Sequence, residues 1–122
     1  MALLSRPPAP KLGWVYDMPS ALYDPTDRAH HPVLVVSVDR VLRIAEVVTR
    51  TTKIHAKGKP FVAHPPQAEL ELHELGWWRV QWPKRVLFTH FADPEATAVG
   101  ALDDTTWGRV QAALSPPPAG TP

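Results

Sequence analysis

The chain contains no cysteine in its 122 residues. Disulfide frameworks, thiolate zinc sites and cysteine nucleophiles are excluded together, and the absence fits a reducing compartment. Long apolar runs are missing as well. The longest, residues 33–36, falls far short of the roughly 18 to 20 residues that cross a bilayer. Only Ala2, Leu3 and Leu4 precede Ser5 and Arg6, too few for the core of a signal peptide, so a cytoplasmic protein with no membrane partner is expected. Net charge is nearly absent: 13 Lys and Arg against 12 Asp and Glu leave +1, and any attraction to nucleic acid must come from local clustering. The six glycines are scattered, with neither a GxGxxG nor a GxxxxGK phosphate loop. At 13.5 kDa there is room for one modest core, too little for a Rossmann enzyme or a TIM barrel.

What is abundant is proline, 15 residues, and seven of these lie at the ends: Pro7, Pro8 and Pro10, then Pro116, Pro117, Pro118 and Pro122. Proline lacks an amide donor and favours extended conformers, so residues 1–10 and 115–122 are expected to be mobile tails around one folded unit, residues 11–114. Within that unit the pattern is mostly that of short strands. Residues 13–17 read as an opening strand, followed by a loop-like stretch to His31. Pro32-Val33-Leu34-Val35-Val36 is continuous and β-branched, as in a strand covered on both faces. Residues 41–49 form the next strand, only Asp39 and Arg40 intervening, which predicts a hairpin. Residues 60–64, 78–82 and 85–91 read as further strands. Between them, Ala68, Leu72 and Leu75 at helical spacing predict a short helix over 67–75, with Pro66 leading in and Gly76 beyond its end. Asp103 or Asp104 is placed to cap a final helix whose Trp107, Val110, Gln111 and Leu114 share one face. Short strands in so small a domain curl into a partly open barrel.

Three groups of residues invite chemistry. The six histidines include none in an HxH, HxxxH or HExxH pattern, so no metal site is expected from spacing. Residues 47–68 carry Arg50, Lys53, Lys57 and Lys59 without a single Asp or Glu, beside Thr49, Thr51 and Thr52. Cations and hydroxyls in that arrangement suit phosphate oxygens. The five tryptophans are Trp14, Trp77, Trp78, Trp82 and Trp107; most must be core, and strand geometry sends the adjacent Trp77 and Trp78 to opposite faces.

The order of these pieces, Gly13-Trp14-Val15-Tyr16-Asp17, then His31-Pro32-Val33-Leu34-Val35-Val36-Ser37, then Val47-Val48-Thr49-Arg50, then Gly100-Ala101-Leu102 before the last helix, resembles the MazF/PemK-like toxins of bacterial toxin–antitoxin systems. The resemblance spans residues 11–114. It implies a mainly β, SH3-like barrel that pairs as a homodimer, cuts single-stranded RNA with no metal or cofactor, and is silenced by a small antitoxin protein. It also implies a catalytic pair: a threonine, which maps onto Thr49, and an arginine just before the Pro-Val-Leu-Val-Val strand. Here that position is His31. Histidine transfers protons well but lacks the permanent charge and two-pronged donor of arginine. Arg28 or Arg50 then supplies the guanidinium, with Thr51, Thr52, Lys53, Lys57 and Lys59 as further RNA contacts. The competing expectation is a barrel that binds RNA or protein without cutting.

Overall fold

A computed structural model describes residues 9–19, 30–53 and 61–114. Its central strand is β2 (His30–Asp39), the continuous apolar run of the sequence. Val33, Leu34 and Val35 are all fully buried, as expected where successive side chains point to opposite faces and both faces are covered. On one side β2 pairs antiparallel with β1 (Trp14–Pro19), Val15 opposite Leu34 and Met18 opposite His31. On the other it pairs with β3 (Ile44–Thr51), Val33 opposite Thr49.

The far edge of β3 is divided between two partners. Residues 44–47 pair with β6 (Lys84–Leu87), whereas Arg50 and Thr51 pair with β5 (Gly76–Arg79), which in turn pairs with β4 (Phe61–His64). With β7 (Thr97–Ala101) beyond β1, the seven strands run β4-β5-β3-β2-β1-β7, β6 branching from β3. This is the mainly antiparallel architecture that the sequence pattern predicts, with an open rather than closed sheet.

The two faces of the sheet carry two cores. Leu34 and Val48 join Val15, Val62, Trp78, Leu102 and Val110 under α2 (Asp104–Leu114). Val33, Val35 and Val47 join Tyr16, Met18, Val86 and Phe88 beside the single-turn α1 (Phe88–Phe91). The C-terminal helix starts where the sequence says: Asp103 Oδ1 accepts the Thr106 amide at 2.8 Å, an N-cap bond. Val110 is buried and Trp107 and Leu114 pack on the core; Gln111, on the same face by helical spacing, is exposed.

Several boundaries differ from expectation, each for a local reason. The β2–β3 turn takes four residues, because Asp39 Oδ1 accepts the amides of Val41 (3.0 Å) and Leu42 (2.9 Å) and Arg43 closes it at φ 56°. Val41 and Leu42 are therefore exposed turn residues and not strand. The predicted helix over 67–75 is only a 3₁₀ turn, Ala68–Leu70, ended by left-handed Glu71 at φ 57°. Gln67 and Leu72 exchange backbone hydrogen bonds (2.8 and 3.3 Å), closing that segment into a loop. The predicted strand over 78–82 ends at Arg79, leaving Trp82 in a turn and half exposed. The run over 85–91 is strand only to Leu87, then α1. Strand β7 was not among the sequence expectations. Pro10 is buried; the tails 1–8 and 115–122 lie outside the described residues.

Candidate RNA-binding cleft

An open cleft of about 590 Å³ lies where the start of β2 meets the end of β3. One wall is His31, Pro32, Arg50, Thr51, Thr52 and Lys53. The other is the loop carrying Glu71, Leu72, His73 and Glu74. The fold thus brings together His31, Arg50, Thr51, Thr52 and Lys53 from the sequence candidates. Thr49 does not line the cleft; it stands opposite Val33, two residues from His31 in the register. Arg28, Lys57 and Lys59 lie outside the described residues. Glu71 and Glu74, outside the acid-free stretch 47–68, set two carboxylates across from its cations. Loop closure between distant residues leaves no mark in the local charge pattern.

Arg50 is held with the most contacts of these cations. Its Nε donates to His64 Nδ1 at 3.0 Å, and its Nη2 donates to the carbonyls of His64 (3.2 Å) and Glu74 (2.7 Å). The guanidinium lies against the backbone of Gly76, where a Cβ would come within 2.6 Å of Nη1 and 2.8 Å of Nε. Only glycine permits that approach. Burial lowers the Arg50 pKa from its ordinary value, and the charge of Glu74 works the other way. Thr51 is occupied locally, its hydroxyl accepting from Lys53 N and donating to Lys53 O, both at 3.1 Å.

Behind Arg50 is a buried polar chain that sequence reasoning missed. His64 is fully buried, its ring tilted against Trp78 at 5.7 Å. Its Nε2 lies 3.0 Å from Gln67 Oε1 and 3.3 Å from Asp103 Oδ2. Two independent constraints fix the tautomer. Arg50 Nε always carries hydrogen, so His64 Nδ1 accepts. Gln67 Oε1 accepts the Asp103 amide (3.2 Å) while Gln67 Nε2 donates to the Ala101 carbonyl (3.2 Å), so His64 Nε2 must donate. The imidazole is therefore neutral, with its proton on Nε2. A signal did exist: in β4, Val62 and His64 alternate with Phe61 and Ala63, which turns His64 inward.

Burial lowers the His64 pKa below its ordinary value; Arg50 pushes the same way, against the Gln67 hydrogen bond and Asp103. For Asp103, burial raises the pKa, but hydrogen bonds from Thr106 and the nearby His64 outweigh it and the net shift is downward. The groups facing His64 are thus Arg50 from β3, Gln67 and Asp103 from the loops, and uncharged Trp78 from β5. Since the unfolded chain protonates His64 first, this contribution to stability is complete above about pH 6.5 and is lost as pH falls from there through the lowered native value. Asp103 adds a second loss below its ordinary carboxylate range. The melting temperature of the wild type is expected to fall between pH 8 and 5, and that of His64→Asn to fall less. Parallel curves would refute the assignment.

Among the described residues no three His, Asp or Glu side chains gather as a metal-ligand set, and no helix is long and apolar enough to cross a membrane. No family model matches the chain, and neither does any curated protein. Solved structures do. A MazE–MazF structure from Deinococcus radiodurans (form III) superposes with a TM-score of 0.61 at 16% identity, covering 88% of this chain and 94% of that one. A MazF structure from the same organism (form I) gives 0.61 at 17% identity, again over 88% and 94%. A second MazE–MazF crystal form gives 0.59 at 16%, over 88% and 92%. The chain shares its fold with these structures across nearly all of both lengths.

Proposed function

We propose that the chain is a member of the MazF/PemK-like toxins and acts as a metal-independent endoribonuclease on single-stranded RNA, working as a homodimer under the control of a small antitoxin protein. The observation that carries this reading is the coincidence of the shared fold with a cleft that gathers an imidazole, two cations and hydroxyls on one wall. Cleavage through the 2′-hydroxyl asks for little else. The 2′-oxygen attacks phosphorus as its proton leaves, and the 5′-oxygen departs as it gains one. The products are a 2′,3′-cyclic phosphate and a 5′-hydroxyl. In this proposal His31 moves protons, Arg50 and Lys53 neutralise the charge that grows on the phosphate oxygens, and Thr51 and Thr52, which line the cleft, hydrogen-bond the scissile phosphate in place of Thr49, the family's position, which lies outside it. Arg28, just before β2, is a further candidate for that charge.

A second reading has its own support: the family's arginine position holds His31, so a barrel that grips RNA without cutting is the competing class. Incubation with a long unstructured RNA in excess EDTA separates the two. Fragments ending in 2′,3′-cyclic phosphate are the expected result. Intact RNA with a salt-dependent mobility shift would leave only the binder, and cleavage abolished by the chelator would overturn the metal-free mechanism.

A further inference from the structure

An arginine side chain free to move loses rotamer entropy when a ligand fixes it. Arg50 is fixed beforehand. Its Nε and Nη2 are taken by protein acceptors, and Nη1 is the nitrogen that no hydrogen bond to a described residue holds. Of the three acceptors, two are backbone carbonyls and one is a side chain, His64 Nδ1. That nitrogen is free to accept only because the ring's single proton is drawn to Nε2 by Gln67 and Asp103.

We propose that His64 is a positioning residue: as the Nε2–H tautomer, oriented by Asp103 and Gln67, it anchors Arg50 so that the guanidinium is presented ready-made to an RNA phosphate in the cleft. The assignment of the anion rests on the cleft being where RNA binds. The anchoring itself does not. The chain Asp103–His64–Arg50 joins the cap of the C-terminal helix to the ligand-facing wall, which accounts for a charged partner and a fully buried imidazole lying behind an open surface.

Asparagine and leucine at position 64 divide the possibilities. The amide oxygen of Asn occupies the place of Nδ1 and accepts from Arg50; Leu fills the space and accepts nothing. Two measurements read the outcome: the tautomer of His64 with the exchange of the Arg50 Nε proton by NMR, and the affinity for a fluorescent 2′-O-methyl oligoribonucleotide, which cannot be cut. The proton is expected on Nε2, and Arg50 Nε–H protected in the wild type and His64→Asn but not in His64→Leu. Affinity should fall about tenfold in His64→Leu, the worth of one charge-assisted contact, and stay within about twofold in His64→Asn. Should His64→Leu not fold, Gly76→Ala replaces it, since its methyl displaces the guanidinium and leaves His64 in place. A proton on Nδ1, equal impairment of the Asn and Leu variants, or wild-type affinity in Gly76→Ala would each overturn the proposal. If the wild type binds no oligonucleotide at any salt concentration, the RNA reading falls, and the NMR measurements alone decide whether His64 positions Arg50.

Discussion

His31→Ala is expected to lower RNA cleavage about 100-fold or more, the usual scale of a general acid or base. The loss should appear in kcat, while affinity for an uncleavable 2′-O-methyl oligoribonucleotide stays close to that of the wild type. Cations hold the backbone whether or not a proton moves, so removing the proton carrier touches only the chemical step. His31 lines the same wall as Arg50 and Lys53, so an imidazole there reaches a phosphodiester whose oxygens those cations hold. The cleft has a second imidazole, His73, exposed on the opposite wall beside Glu71 and Glu74, where carboxylates repel the RNA backbone. His73→Ala is thus the informative companion. A large loss in that variant with little in His31→Ala would move the proton carrier to the loop, and the roles of the two walls would be exchanged.

The central strand and the cationic wall could be read from the sequence because both are local. Continuous branched residues make β2 a strand whatever surrounds it, and Arg50, Thr51, Thr52 and Lys53 are neighbours in the chain and so share a cleft once β3 ends there. The helix over 67–75 failed for the opposite reason. Its spacing of Ala68, Leu72 and Leu75 is helical, but Gln67 makes its bonds to Ala101 and Asp103, more than thirty positions away, and those long-range bonds outweigh the marginal propensity of so short a helix. The same distance hid the polar chain. Arg50, His64 and Asp103 are separated by 14 and then 39 positions, and only pairing β3 through β5 to β4 sets the first two side by side. The motif pairs His31 with Thr49. The register brings the strands together but sets Thr49 across from Val33, leaving Thr51 nearer the cleft.

Trp78→Ala is expected to cost about 3 to 5 kcal/mol, as for other buried aromatics cut back to alanine. Against the roughly 5 to 15 kcal/mol that holds a small domain together, that removes from about a fifth to the whole of the margin. Trp78 is fully buried, packs with Val48, Val62 and Val110, and lies across from Arg50 in the sheet, so its removal opens a cavity where β3, β4, β5 and the C-terminal helix converge. It also removes the ring against which His64 rests, so Arg50 should lose its anchor even in molecules that stay folded. Trp78→Phe isolates the two contributions. Trp78 Nε1 is buried with no hydrogen-bond partner among the described residues, and phenylalanine deletes that donor, worth about 1 to 3 kcal/mol, while keeping an aromatic face beside His64. Denaturant unfolding should therefore give a loss for Trp78→Phe far smaller than for Trp78→Ala, with RNA affinity preserved. Equal losses would mean that the indole's polar edge is satisfied in solution; a stable Trp78→Ala variant with intact affinity would mean that the site does not lean on this core at all.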